Sequence, residues 1–163
     1  MQNAEDVLIA KNMGFTNASE VPDEGLRIGG MNICKTPAIH GDNVMVAQMM
    51  GEVHGYYITG EDKSLYIAGD TVMCDAVSEF ITKTMPDVIT LNCCEATLPI
   101  GRLIMNLDDI DSVCELVPDA LVIATHLESV NHALLSRSDV RKYIDFNKLS
   151  QVIVPDDGEI ISI

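Results

Sequence analysis

Tryptophan is absent from this sequence, and only three Phe and four Tyr stand among its 163 residues. Any core must therefore rest on Ile, Val, Leu and Met rather than on stacked rings. Positive charge is scarce as well: ten Lys plus Arg face 25 Asp plus Glu, a net charge of −15. A field of that sign repels phosphate backbones and anionic bilayer faces, which argues against nucleic-acid and membrane partners. It leaves room for a small anionic substrate, because a bound metal locally reverses the sign of a pocket. Long apolar runs are missing too, none approaching the roughly 20 residues of a membrane span. The opening MQNAEDVLIAKNMG carries early acids and no basic stretch, so it does not read as a secretory signal. There is no CxxC pair. Cys34, Cys74, Cys93, Cys94 and Cys114 form an odd set, expected to be reduced and largely buried thiols of a cytoplasmic protein. A redox centre on Cys93-Cys94 finds no support, since the neighbouring Glu95 would not favour a thiolate.

What is present suits one globular domain over residues 1–163, long enough for a sizeable core and too short to argue for two. Residues 4–13 predict a helix, with Gly14 as its C-terminal cap. Leu26 to Thr36 predicts a strand in which Gly29-Gly30 allows a bend or bulge. Tyr56 to Thr59 and Leu65 to Ala68 predict a hairpin across a polar, glycine-containing loop. Beyond it, helix and strand alternate: a helix over Asp75 to Met85 ended by Pro86, a strand over Asp87 to Leu91, then a loop through Pro99 and Gly101. A helix over Leu107 to Val117, a strand over Ala120 to Ala124 and a helix over Ser138 to Phe146 follow, with Arg137, Arg141 and Lys142 outward. Val152 to Val154 and Ile160 to Ile163 predict a closing hairpin about Pro155-Asp156-Asp157-Gly158. This order predicts an α/β fold with a mixed sheet and flanking helices.

Three places put a metal-capable side chain just after strand-like residues: Ile39-His40-Gly41, Ala68-Gly69-Asp70-Thr71 and Ala124-Thr125-His126. Two imidazoles and a carboxylate delivered from separate strand ends suit a divalent ion in a hydrolase. Gly69 lets the backbone turn, and Thr71 can bond the carboxylate or cap the next helix. Each residue also has a plainer reading. Asp70 could equally be a helix N-cap, and His126 a hydrogen-bonded structural histidine at a strand exit. His54, within Glu52-Val53-His54-Gly55, reads as structural.

The segments GFTNASE, TPAIHG, LYIAGDT, DVITLN, IATHLESVNH and VPDDGE, in this order, resemble successive parts of the metallo-β-lactamase superfamily, closest to its L-ascorbate 6-phosphate lactonase-like branch. LYIAGDT and His-Leu-Glu-x-x-Asn-His carry most of that likeness. The resemblance implies an αββα sandwich and a divalent metal, zinc or manganese. It implies His40, Asp70 and His126 as metal ligands, with Asp70 bridging two ions and serving catalysis. The reaction implied is attack by a metal-bound hydroxide on a lactone, ester or phosphoester of a small-molecule substrate. It also implies Asn131 and His132 at the pocket mouth, and Thr71, Asn92 and Glu128 as supporting or substrate contacts. Arg137 would lie near an anionic part of the substrate, though a solvated residue at a helix start is its plainer reading.

One motif of that superfamily, His-x-His-x-Asp-His, does not occur here. Its absence leaves each metal two of its usual protein donors, and predicts a sandwich lacking its N-terminal sheet portion. The expectation is a truncated, inactive form of a longer hydrolase. Alternatives are a natural short form, a chain completed by a partner, or a non-catalytic module that pairs into a homo-oligomer through its uncovered sheet.

Overall fold

The computed structural model describes residues 1–163. Helix α1 (Ala4–Asn12) opens the chain, capped by Asn3, whose side chain accepts from the Asp6 N–H. A strand pair follows, β1 (Leu26–Ile28) and β2 (Met31–Thr36), joined antiparallel with Ile28 opposite Met31. Gly29-Gly30 therefore makes a two-residue hairpin turn, not a bulge in one strand. Gly29, at φ +60°, takes a conformation that costs glycine little.

Helix α2 (Val44–Met50) has no counterpart in the sequence reading. Its run VMVAQMM is apolar but for Gln48, so no helical period shows. The structure supplies the start signal through Asn43, whose side chain accepts from the N–H groups of Met45 and Val46 at 3.1 Å. The expected hairpin forms between β3 (Gly55–Thr59) and β4 (Leu65–Ile67). Then come α3 (Asp75–Thr84) and β5 (Val88–Asn92). The expected loop about Pro99 holds a small hairpin of its own, β6 (Thr97–Leu98) with β7 (Gly101–Arg102). Helix α4 (Leu107–Leu116), strand β8 (Leu121–Thr125), helix α5 (Arg137–Asn147) and strand β9 (Val152–Ile153) complete the chain.

One seven-stranded sheet runs in the order β1-β2-β3-β4-β5-β8-β9. It is antiparallel from β1 to β4 and parallel from β4 to β9. This is the mixed sheet with flanking helices that the sequence predicts. The closing hairpin is not formed: β9 pairs in parallel with β8, and Ile160 to Ile163 make no strand. The Pro155 to Gly158 turn instead faces two arginines. Arg141 bonds Val154 O at 2.8 Å and Asp156 at 2.6 Å, while Arg137 bonds Pro155 O and Asp157.

Register decides which side chains meet. Cys34, Tyr57, Tyr66, Ile89, Val122 and Val152 align across six strands on one face. Four of that row, Tyr66, Ile89, Val122 and Val152, join Val77 and Ile81 of α3, Ile110 and Val113 of α4, and Val140 and Ile144 of α5 in a single buried core. Phe80 seats against Tyr57 and Tyr66 at centroid distances of 5.5 and 5.2 Å, so the few rings present are grouped rather than scattered. The other face carries Ile33, Ile58, Leu65, Val88 and Leu121 in register. Of these only Val88 is fully buried, and the rest are half-exposed. No helix is long and apolar enough to cross a membrane.

Two of the later helices begin with reciprocal caps. Asn106 with Asp109, and Ser136 with Asp139, each exchange side-chain and backbone bonds, a device worth about 1 kcal/mol per helix start. Asp70 does no such work. The N-cap of α3 is Cys74, four residues later, which removes the plain capping explanation for that carboxylate.

Candidate metal centre

The parallel strands β4, β5 and β8 end side by side, and their last residues or the loops just after them carry the polar groups. Gly69, at φ +68°, turns the chain out of β4. Asp70 follows. Its neighbour Thr71 is fully buried and bonds neither that carboxylate nor a helix end. The Thr71 hydroxyl donates to Val72 O and accepts from the Ile39 N–H, both at 2.9 Å. Val72 N–H in turn donates to Ile39 O at 2.9 Å. The loop that carries His40 is thereby stitched to the loop that carries Asp70.

Asn92 ends β5, directly opposite Thr125 at the end of β8. Its amide donates to Asp70 Oδ1 at 2.7 Å, and its carbonyl accepts from the Thr125 hydroxyl at 2.9 Å. The carboxylate is thus held by a chain of hydrogen bonds across three strands. His126, next along, is half-buried, with Nε2 3.7 Å from Asp70 Oδ1. The Ser129 hydroxyl lies 2.5 Å from His126 Nδ1 and donates to the His126 carbonyl at 3.2 Å. In the neutral tautomer protonated at Nδ1, that hydroxyl accepts from Nδ1–H, and the Nε2 lone pair faces the carboxylate with no proton between them. Two lone-pair donors across a short gap are the arrangement a cation fills.

His40 lines the same pocket of about 680 Å³, with Asp70, Asn92, His126, Tyr56, Ile67 and His54. Burial lowers the pKa of His40, assisted by His126 and His132 and opposed by Asp70. The neutral form, which ligates metals, is therefore favoured. Imidazole and carboxylate donors fit a divalent ion in kind. They fall short in number, since no trio of His, Cys, Asp or Glu closes around one point, whereas catalytic zinc sites use three or more protein donors.

The remaining expected residues sit farther out. His132 Nδ1 lies 3.2 Å from the Asn131 side chain, and Thr97 N–H bonds the His132 carbonyl at 3.1 Å. Arg137 is neither outward nor free. Its guanidinium bonds Glu128 Oε2 at 2.7 Å, Pro155 O at 3.2 Å and Asp157, and its N–H bonds Glu128 Oε1 at 3.1 Å. These bonds pin the loop in which His126 and Glu128 both take left-handed backbone, at φ +63° and +61°, a conformation that costs residues with a Cβ about 1 kcal/mol or more.

Sequence reasoning passed over His54. Its Nε2 lies 3.2 Å from Glu52 Oε1 and its Nδ1 3.3 Å from Thr36 O, at the rim of the same pocket. The one available signal was its position at the entry to a strand. A larger hollow, of about 760 Å³, lies beside α1 between Met1 and Ala18. It holds Asp6 as its one ionisable side chain, whereas the pocket at the strand ends adds His40, His54, Asp70 and His126.

No family model matches the chain. Comparison with solved structures shows the metallo-β-lactamase fold, here as a mixed sheet with flanking helices. YhfI from Bacillus subtilis, a metallo-β-lactamase fold protein, superposes with a TM-score of 0.58 at 15% identity over 83% of this chain and 51% of its own. Within that fold the chain is similar in sequence to two UPF0173 proteins. It is 35% identical to UPF0173 protein YddR of Bacillus subtilis over 98% of this chain and 63% of YddR. It is 24% identical to a UPF0173 metal-dependent hydrolase of Christiangramia forsetii, over 95% of this chain and 73% of that protein. A possible metal-dependent hydrolase from Veillonella parvula matches with a TM-score of 0.93 and 32% identity, over 99% of this chain and 65% of the other. An isothiocyanate hydrolase from Delia radicum gut bacteria matches at 0.92 and 29%, with the same coverage. The chain thus spans a little under two thirds of the length of YddR and of these two structures.

Proposed function

We propose that this chain carries part of the active centre of a metal-dependent hydrolase, with His40, Asp70 and His126 as donors to a divalent ion, zinc or manganese. The observation behind it is the facing pair Asp70 Oδ1 and His126 Nε2, 3.7 Å apart, with both side chains held from behind by Asn92 and Ser129. A divalent ion supplies Lewis acidity there: it makes water a stronger acid and offsets charge that develops on a substrate oxygen. The chain's own residues do the positioning. Asn92 and Thr125 fix the rotamer of Asp70, Ser129 holds the His126 ring at Nδ1, and Thr71 ties His40 to the same frame. The substrate would be a small electrophile, a lactone or phosphoester. The likeness to an isothiocyanate hydrolase adds a heterocumulene carbon to that group.

His40, Asp70 and His126 do not close around one point, so this chain alone would hold metal weakly and turn over little or nothing. Elemental mass spectrometry on protein purified without chelator, then loaded with zinc or manganese, tests the assignment. Uptake that falls in Asp70→Ala and His126→Ala supports it, and uptake indifferent to both changes sinks it. A second reading, a non-catalytic module that pairs through its sheet, draws on the half-exposed row Ile33, Ile58, Leu65 and Leu121. Native mass at rising concentration separates the two, because a persistent monomer opposes the pairing module.

A further inference from the structure

Behind His40, on the side away from Asp70, lies a second hollow of about 380 Å³. His40, Val53 and His54 line both this hollow and the metal pocket, so the two spaces adjoin across those side chains. Its remaining walls are Pro37, Ala38 and Ile39 on one side and Ala47 and Gly51 at the end of α2, with Glu52 at the rim. Small side chains create the space. Gly51 closes α2 at φ +78°, and a Cβ built on it would meet nothing within 4 Å. On the opposite flank Gly41 is packed tight, since a Cβ there would come within 2.6 Å of Val46. Helix α2 is therefore pressed against the His40 loop at Gly41 and stands clear of it at Gly51. Both nitrogens of His54 face acceptors outside the hollow, Thr36 O at 3.3 Å and Glu52 Oε1 at 3.2 Å, so its ring adds mainly carbon surface there.

We propose that this hollow is the subsite for an apolar substituent, of benzyl or hexyl size, on the molecule hydrolysed at Asp70 and His126. The inference rests on the function proposed above for its second half only. The apolar space and its place beside His40 stand without a metal. Pockets for small ligands are largely apolar with a few placed polar groups, and this one sets its apolar wall beside the candidate ligands. Ile39 belongs both to that wall and to the Thr71 stitch. A substituent seated there would hold its reactive carbon or phosphorus on the far side of the His40 ring, toward Asp70.

The test uses the whole chain and neutral probes, 1-hexanol and benzyl alcohol, followed by amide chemical shifts in nitrogen-15 NMR spectra. Saturable shifts at Ala38, Ile39, Ala47, Gly51 and Val53 are expected. Filling the space with Ala47→Leu, or charging its wall with Val53→Asp, should weaken the probes by about tenfold or more. Unchanged dispersion elsewhere in each spectrum shows that the variant folds, and either variant alone suffices. Shifts that do not saturate, that gather instead at Ile9 and Phe15 beside α1, or that survive both variants overturn the subsite. His126→Ala separates the two claims: it should lose metal uptake and keep hexanol binding. Hexanol binding in a chain indifferent to metal would leave the subsite and remove the hydrolase.

Discussion

Asp70 Oδ1 receives the Asn92 amide at 2.7 Å and stands 3.7 Å from His126 Nε2. One oxygen is thus both anchored by a neutral donor and turned toward a metal-capable ring. Asn92→Leu removes the anchor while keeping the volume close to the original. It should lower metal affinity by about 10- to 100-fold, as loss of a partner behind a ligand commonly does, with secondary structure unchanged. Isothermal titration of zinc and far-ultraviolet dichroism on the same sample check this.

Arg137 is the hub of the loop beyond His126, joined to Glu128, Pro155 O and Asp157. Arg137→Ala should free both the 126–129 loop and the 155–158 turn. Hydrogen exchange in those two segments should speed up, with a loss of about 1 kcal/mol in overall stability, because Asp157 and Glu128 are well exposed. Arg137→Lys should restore little, since one ammonium cannot reach three partners set around a planar fork. Exchange confined to wild-type rates would refute the hub.

Burial pushes the Cys93 thiol up to about 12, with the neighbouring Cys94 adding to the effect. Cys114 is pushed up to about 11 by burial and by Asp111. Neither forms thiolate at neutral pH, so iodoacetamide should spare both in the folded chain while reaching the less buried Cys34 and Cys74. Peptide mapping after brief labelling gives the answer. Early modification of Cys93 would mean that the core opens.

Asp87, Asp139 and Asp156 are held below the ordinary carboxylate value of 3.8, the first two chiefly by serine donors, Ser64 and Ser136, and the third by Arg141. Each folded pKa lies below its unfolded one, so the unfolded chain binds more protons as pH falls through the gap. The stabilisation is complete above about 4 and is lost as pH drops through the lowered values. Asp139→Asn should flatten the acid limb of a urea-midpoint profile by lowering the midpoint near neutral pH, where the ionised cap of α5 is fully in place, while leaving the midpoint at the acid end almost unmoved. An unaltered acid limb would show that other groups carry the acid sensitivity.

Much of the scaffold is legible in the sequence because the later elements are short, patterned and clearly punctuated. Pro86 marks the end of α3, and the apolar runs DVITL and ALVIA stand out as strands buried in a parallel sheet. The misses have separate physical causes. Helix α2 is hidden by a run apolar but for Gln48, so its start depends on Asn43 and its packing on Gly41. The closing hairpin fails because Pro155 to Gly158 is claimed by Arg137 and Arg141, partners far away in sequence. At the site, the order His40, Asp70, His126 could be picked out from strand ends. The bond from Asn92 to Asp70 depends on strand register, and the place of His54 on the meeting of two loops. Neither leaves a local trace.

The strand ends that carry Asp70, Asn92 and Thr125 belong to three adjacent parallel strands. The spacing of the centre is therefore set by the sheet together with the short loops that carry Asp70 and His126 off β4 and β8. Neighbouring strands keep to about 4.8 Å through their ladder of bonds, so heating that loosens surface turns leaves this ruler largely unstretched. Shear or added twist between β4, β5 and β8 is the motion to which the centre is tuned. A remote change in the helices packed beneath those strands could then reset the bite of Asp70 and His126 without touching either.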